Sequence, residues 1–263
     1  MNVNASTLNQ YTFCPRSIYF SKVLKIRAAP TLEQTKGLLG HAVRKELSMR
    51  QAKLLGKIQH PHELEALLLQ ELEQIMQDFP HIYKNMLKDA SYETLVPDIK
   101  AEVLSEIGTI NTKLGIIVEE IGIEKALQLV TPWKVEYYIR SDSIGITGRV
   151  DKIMLDETYV PVEIKTGQPS DGVWEGDRLQ TCAYAMLLED KFGLKEPISY
   201  GFVEYTRIQE RRPVMTTEKL RREVINTRDA IIEILQGKIP EICPHGSGKK
   251  CEACGYKERC YEI

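Results

Sequence analysis

The chain has 263 residues, with 35 Lys and Arg against 37 Asp and Glu, for a formal net charge of −2. Hydrophobic residues at 43% and charged residues at 27% exclude a disordered chain, and no apolar run reaches the roughly 20 residues of a membrane-spanning helix. The start, MNVNASTLNQ, lacks the pattern of a secretion leader, and six cysteines are too few for a disulfide scaffold, so a cytoplasmic, reducing setting is expected.

Ser6 or Thr7 is placed to cap a first helix carrying Leu8, Tyr11, Phe13, Ile18 and Tyr19. A longer helix is expected from about Thr31 to Ile58, and a third over residues 62–78, stopped by Pro80. Residues 97–130 have helical composition, with Gly108 and Gly115 as weak points. After Pro132 the character changes to short β-rich runs: 133–140, 143–148, 149–155 and 159–166. A helix over 177–192, a strand over 198–207 and a helix over 217–236 follow, the last stopped by Gly237 and Pro240. The tail, 243–263, is polar and cysteine-rich. The whole chain reads as one domain, 1–263, and within it 54–130 forms an acidic helical insert.

The near-neutral charge averages unlike parts. Residues 1–53 hold nine Lys or Arg and two acids, whereas residues 54–130 hold six and thirteen. The basic segment permits a nucleic-acid partner that the total charge argues against, although helices with solvated faces of opposite sign give the same counts.

The strand runs carry the chemistry. Glu163 and Lys165 are two apart in one strand and so share a face, and Asp151 lies on the preceding strand of an expected hairpin. Converging carboxylates make a hard oxygen site for Mg²⁺ or Mn²⁺, and a neighbouring lysine can offset charge growing on a phosphate. That set suits phosphodiester hydrolysis. A cross-strand ion pair on an ordinary hairpin would use the same residues. Gln180 and Tyr184 are four apart on one helix face, as are Gly37 and His41. A neutral imidazole at 41 is a plausible further metal ligand, with Gly37 permitting close helix approach.

In order, GLLGH at 37–41, GRVD at 148–151, EIKTG at 163–167 and QTCAY at 180–184 resemble the motifs of RecB-type nucleases of the PD-(D/E)xK superfamily. That resemblance implies an α/β, restriction-endonuclease-like fold: a mixed central sheet flanked by helices, with a helical N-terminal half. It implies that His41, Asp151 and Glu163 bind the metal, with an oxygen from Ile164. Lys165 would be the catalytic lysine, and Gln180 and Tyr184 would position DNA or the other site groups.

Cys251, Cys254 and Cys260 form C-x₂-C-x₅-C and need a fourth ligand, for which Cys14 stands in the first helical region. Four thiolates suit an iron–sulfur cluster or zinc. The RecB-like subset with one early and three late cysteines resembles this arrangement, which implies a structural [4Fe–4S] staple joining the tail to Cys14. Local Zn²⁺ ligation by Cys243, Cys251, Cys254 and Cys260, with His245, is the alternative. Cys182 reads as a buried small hydrophobe. GSGKK at 246–250 lacks the flanking residues and strand-to-helix setting of a phosphate-binding loop.

Together the motifs and the tail resemble the CRISPR-associated family four nucleases over residues 6–58 and 133–263. This implies a metal-dependent exonuclease on single-stranded DNA ends, trimming precursors in spacer acquisition beside the CRISPR integrase complex. About 110 residues separate His41 from Asp151, more than in compact members and similar to the nuclease domain of replication helicase–nucleases. A repair or replication nuclease, a DNA-binding assembly module without cleavage, and a zinc-stapled adaptor are the other readings. Arg16, Lys22, Lys25, Arg27, Lys36 and Arg149 are candidates for a backbone-tracking surface, extended by the Arg207–Arg212 region.

Overall fold

The computed structural model of the protein describes residues 1–26, 28, 32–82, 92–167, 171–242, 251 and 254–262. The β-rich runs build a mixed sheet of six strands: β1 (Val3–Asn4), β2 (Lys134–Ser141), β3 (Ile146–Leu155), β4 (Tyr159–Lys165), β5 (Tyr200–Tyr205) and β6 (Glu210–Met215). β2, β3 and β4 form an antiparallel meander; β4 and β5 run parallel, and β5 and β6 form a hairpin. The parallel step is bridged by a helix, α6 (Glu175–Phe192), as a parallel crossover requires.

β3 organises the site. β2 runs along one of its edges, while the other edge is shared: β1 takes Ile146 and Thr147, and β4 takes Lys152 to Leu155. Residues 148–151 lie in the fork between them. Asp151, at the fork, turns its carboxylate to the next strand and accepts the Ile164 amide N–H at 2.9 Å.

One hydrophobic core lies under the sheet, against α1 (Ala5–Phe13), α6 (Glu175–Phe192) and α7 (Glu218–Leu235). It includes Leu8, Val150, Leu187, Val203 and Val224. α6 packs very close to the strands. A Cβ on Gly148 would lie 2.9 Å from the Tyr184 ring and 3.0 Å from Leu187, and one on Gly201 would lie 2.6 Å from Thr181. Glycine at those two places is a steric requirement.

A second core is entirely helical. α3 (Leu32–Leu55), α4 (Leu64–Ile82) and α5 (Tyr92–Val130) enclose Leu39, Val43, Leu47, Leu68, Leu72, Val103 and Ile107. The acidic segment 54–130 therefore shares its core with α3, from the basic segment. Their charges meet as well: Arg44 pairs with Glu102 and Glu106 at 2.8 and 2.7 Å, Lys36 with Glu102 at 2.9 Å, and Arg50 with Glu71 at 2.8 Å. Much of the basic excess is matched inside the molecule.

Between the two cores runs a polar seam. Lys152 is 1% exposed, with its Nζ 2.8 Å from Glu204 Oε1. Glu204 also accepts from Ser48 of α3 at 2.7 Å and from Arg211 at 2.9 Å. Arg207 reaches Glu102 at 3.2 Å, and Lys113 donates to the carbonyls of Ile208 and Gln209.

Several local expectations shift. Asn4, rather than Ser6 or Thr7, caps α1 by accepting the Ser6 N–H. The first helical region is broken at the extended Cys14, after which come α2 (Pro15–Ile18) and a π-helical turn, Tyr19–Val23. α4 continues through Pro80 to Ile82, so the proline falls within its last turn and does not end it. α5 runs past Gly108 and Gly115 and breaks instead at Gly122, whose φ of +80° lies outside any helix. The expected strands 143–148 and 149–155 are one strand, with the turn at Gly145. β6 was not expected, because its residues ERRPVM bury only Val214; as an edge strand it tolerates Pro213. No helix among the described residues is long and apolar enough to cross a membrane.

Candidate active site

Asp151, Glu163 and Lys165 come together at the β3–β4 fork. Lys165 Nζ lies 2.9 Å from Glu163 Oε1 and 3.0 Å from Asp177 Oδ1. Asp177 stands on α6, three residues before Gln180 and seven before Tyr184, so one helix face delivers all three. Gln180 donates to the Tyr184 hydroxyl at 2.9 Å, and Asn9 of α1 donates to Asp177 at 2.6 Å.

The opposite wall is α3. His41 faces the fork, with its Nδ1 3.4 Å from the Thr166 hydroxyl. One turn later, Lys45 places its Nζ 2.7 Å from Asp151 Oδ1 and pairs with Glu136 of β2. Glu136 stands between Val135 and Tyr137, whose ladder partners Lys152 and Val150 flank Asp151, and has a φ of +50°, a conformation that non-glycine residues rarely adopt.

The electrostatics follow from burial. Desolvation, then repulsion from Asp151, pushes Glu163 up to about 7. Burial lowers His41, so it is neutral at neutral pH although Asp151 pulls the other way. Burial also opposes the Lys165 ammonium, but Glu163 and Asp177 outweigh it and hold its pKa above the usual lysine value. Tyr184 is raised well above the tyrosine range, first by burial and then by Glu163 and Asp151. It therefore stays protonated.

The fit to a divalent cation has two parts. Glu163 Oε2 is buried with no hydrogen-bond partner, and Glu136, Asp151, Glu163 and Asp177 outnumber Lys45, Lys165 and Arg149, the last 3.7 Å from Glu136. With the acids ionised, the cluster stays net negative, the sign that a divalent cation needs. As they stand, however, no three His, Cys, Asp or Glu side chains among the described residues are gathered closely enough to hold a metal. The Ile164 group that engages Asp151 is its amide N–H.

Other expectations are redistributed. Gly37 faces open space, so close helix approach is not its role. Arg16, expected on a DNA-tracking surface, is buried: it donates to the Pro240 carbonyl at 2.8 Å and to the Cys260 carbonyl, because α2 packs against the returning tail. Lys22 and Arg149 are exposed, Arg149 with its guanidinium 3.7 Å from Glu136. Lys36, Arg207, Arg211 and Arg212 all have carboxylate partners, and Arg27 lies outside the described residues.

At the tail, Arg16 Nη1 also lies 3.8 Å from Cys260 Sγ, and Tyr256 stacks on Phe20 at 5.2 Å. The segment after Cys14 and the tail are thus packed together, while the described thiols of Cys14, Cys251, Cys254 and Cys260 are not gathered into a ligand set. Cys243, His245 and residues 246–250 lie outside the described residues. Cys182 is buried, as expected, and burial pushes its thiol up to about 12.

Sequence reasoning missed Lys45, Glu136, Asp177 and Asn9. Lys45 and Asp177 carry a signal in hindsight, since each shares a helix face with a recognised residue (His41 and Gln180).

The profile of the PD-(D/E)XK nuclease superfamily matches residues 2–261. A CRISPR-associated exonuclease Cas4/endonuclease Cas1 fusion of Leptospira interrogans is 30% identical over 99 residues, which is 35% of this chain and 18% of that protein. A fusion of the same description from Myxococcus xanthus is 41% identical over 64 residues, 22% of this chain and 11% of that protein. An uncharacterized protein of Archaeoglobus fulgidus is 27% identical over 128 residues, 48% of this chain and 55% of that protein. The matches therefore span about half or less of each relative's length.

Proposed function

The chain belongs to the PD-(D/E)XK nuclease superfamily, and from that premise we propose that it is a divalent-metal-dependent DNA exonuclease. It would act in the cytoplasm on single-stranded ends, trimming DNA precursors for CRISPR spacer acquisition beside the integrase complex. The observation that carries the hydrolytic reading is the fork itself: Asp151, Glu163 and Lys165 converge there, and one Glu163 oxygen is buried without a partner. The fusion of an exonuclease Cas4 to an endonuclease Cas1 in two relatives supports the CRISPR assignment.

When bound, Mg²⁺ or Mn²⁺ supplies a Lewis acid and lowers the pKa of water at the phosphate. Asp151 and Glu163 would hold the ion, with His41 and the Ile164 carbonyl as further donors. Lys165, fixed between Glu163 and Asp177, is placed to offset charge on a phosphate oxygen. The protonated Tyr184 hydroxyl and Gln180 orient the carboxylate side of the pocket. Lys22 and Arg149 are proposed contacts to the DNA backbone.

End-labelled single- and double-stranded DNA with Mg²⁺ or Mn²⁺ tests this reading. Wild type should shorten single strands from an end, and Lys165→Ala should lose about 10²- to 10³-fold in rate, the scale for one group stabilising developing charge. Cleavage by Lys165→Ala or Glu163→Ala at the wild-type rate would sink the reading. A protein that binds DNA but cuts with no divalent ion would instead be the assembly module, which the lysine-occupied Asp151 favours.

For the tail, the proposal is a structural [4Fe–4S] cluster on Cys14, Cys251, Cys254 and Cys260, supported by the packing of Arg16 and Phe20 against it. Iron and sulfide in anaerobically purified protein are expected. Zinc without iron would assign the site to Zn²⁺.

A further inference from the structure

The site contains two lysines in matching arrangements. Lys165 is shared between Glu163 and Asp177, and Lys45 is shared between Asp151 and Glu136. Each strand carboxylate thus has an ammonium on it, and each ammonium has a second carboxylate as an anchor. Lys165 is part of the recognised motif. Lys45 comes from the other core, and nothing in the proposed hydrolysis uses it.

Two facts about this second lysine point beyond simple packing. It sits on the oxygen of Asp151 that the Ile164 amide leaves open, since that amide takes Oδ2 and Lys45 takes Oδ1. Its anchor, Glu136, which also pairs with Arg149 at 3.7 Å, is held at a φ of +50° between Val135 and Tyr137, whose ladder partners Lys152 and Val150 flank Asp151. Strained backbone persists only where its surroundings over-determine it, and here it brings a carboxylate to Lys45. Lys45 lies between two carboxylates, Asp151 and Glu136, which favour its ammonium form. The charge is therefore permanent at neutral pH.

We infer that Lys45 is a resident cation on Asp151 that a divalent ion must displace, and that Glu136 is the seat onto which it withdraws. Two cations cannot occupy one carboxylate oxygen without strong repulsion, so ion entry at Asp151 requires the ammonium to leave. Because Lys45 already pairs with Glu136, it can leave without becoming an unpaired, half-buried charge. Lys45 and Glu136 are positioning residues in this account: they set how readily Asp151 takes an ion. The inference rests on reading the site as a cation site, but not on cleavage.

Calorimetric titration of Mn²⁺ into the DNA-free full-length protein tests it. Lys45→Met should bind Mn²⁺ more tightly, on the order of tenfold, the scale of one charge-assisted hydrogen bond removed from competition. Lys45→Arg, which keeps the charge, should stay near wild type. Glu136→Gln should bind more weakly, because the displaced ammonium loses its seat. The double variant should match Lys45→Met, since Glu136 acts only through Lys45.

In chelator, Lys45→Met should melt below wild type, having left Asp151 without its cation, and should gain more from added Mn²⁺. Equal or weaker Mn²⁺ binding by Lys45→Met overturns the inference. So does a double variant weakened by the same factor as Glu136→Gln alone, which would make Glu136 an ion ligand. Failure of every protein to bind Mn²⁺, wild type included, removes the underlying cation-site reading and the inference with it. Loss of DNA cleavage with the expected Mn²⁺ pattern intact touches the nuclease reading alone.

Discussion

The sheet region and the three-helix region are held together differently from the seam that joins them. Each has an apolar interior: Val150, Leu187 and Val203 in one, Leu47, Leu68 and Leu72 in the other. Between them the contacts are polar and ionic: Ser48 with Glu204, Lys45 with Asp151 and Glu102 with Arg207. Apolar packing tolerates small slides, whereas charged hydrogen bonds fix donor and acceptor in place. The seam therefore sets how His41 and Lys45, carried by α3, meet Asp151 and Glu163, carried by the sheet. The comparison teaches that this site depends on the alignment of two bodies.

The most severe test of that view is at Glu204. Its removal in Glu204→Ala leaves Lys152 buried without its carboxylate, which should cost about 3–5 kcal/mol in urea denaturation. Replacing the pair together, Lys152→Met with Glu204→Leu, should restore most of that stability while loosening the alignment, seen as weaker Mn²⁺ binding. Next come the two cores separately. Leu68→Ala and Leu187→Ala, both at fully buried positions, should each cost about 2–5 kcal/mol. If the regions are separate cooperative units, each variant shifts a different unfolding transition. A single transition displaced equally by both would merge them.

Acid sharpens the comparison further. Burial alone would raise Glu204, but Lys152 and Arg211 outweigh it and hold the carboxyl at about 2. Its folded pKa is below the unfolded value, so its contribution is complete above the ordinary carboxylate range and is lost as pH falls from about 5 towards 2. Urea midpoints measured down that range should fall more steeply for wild type than for Glu204→Gln. The smallest effect lies away from the seam: Thr217→Ala, which removes the cap on the Leu220 amide of α7, should cost about 1 kcal/mol and leave the helical region unchanged.

What was legible in the sequence was local. Glu163 with Lys165, and Gln180 with Tyr184, are related by the period of one strand or one helix, so their shared faces could be read directly. The mixed sheet flanked by helices followed from the order of the runs and the family motifs. Lys45 and Asp177 share helix faces with His41 and Gln180, but Glu136 reaches the site by tertiary approach, which no spacing records. Arg16 was misassigned because a cation bonded to backbone carbonyls looks the same in sequence as one in water. The charge asymmetry was real, but its partners were inside the molecule. β6 was missed because an edge strand needs only one buried side chain to hold it.

Gly148 and Gly201 have a consequence for how the site can vary. Neither can touch a substrate through a side chain, yet between them they set how deeply α6 seats against the sheet. Asp177, Gln180 and Tyr184 all ride on that helix. A single methyl group at Gly148 would press on the Tyr184 ring and lift all three from the strand carboxylates together. The aperture of the site is thus a gauge fixed by two absent side chains. Activity could be detuned in graded steps there while every residue of the constellation stayed unchanged.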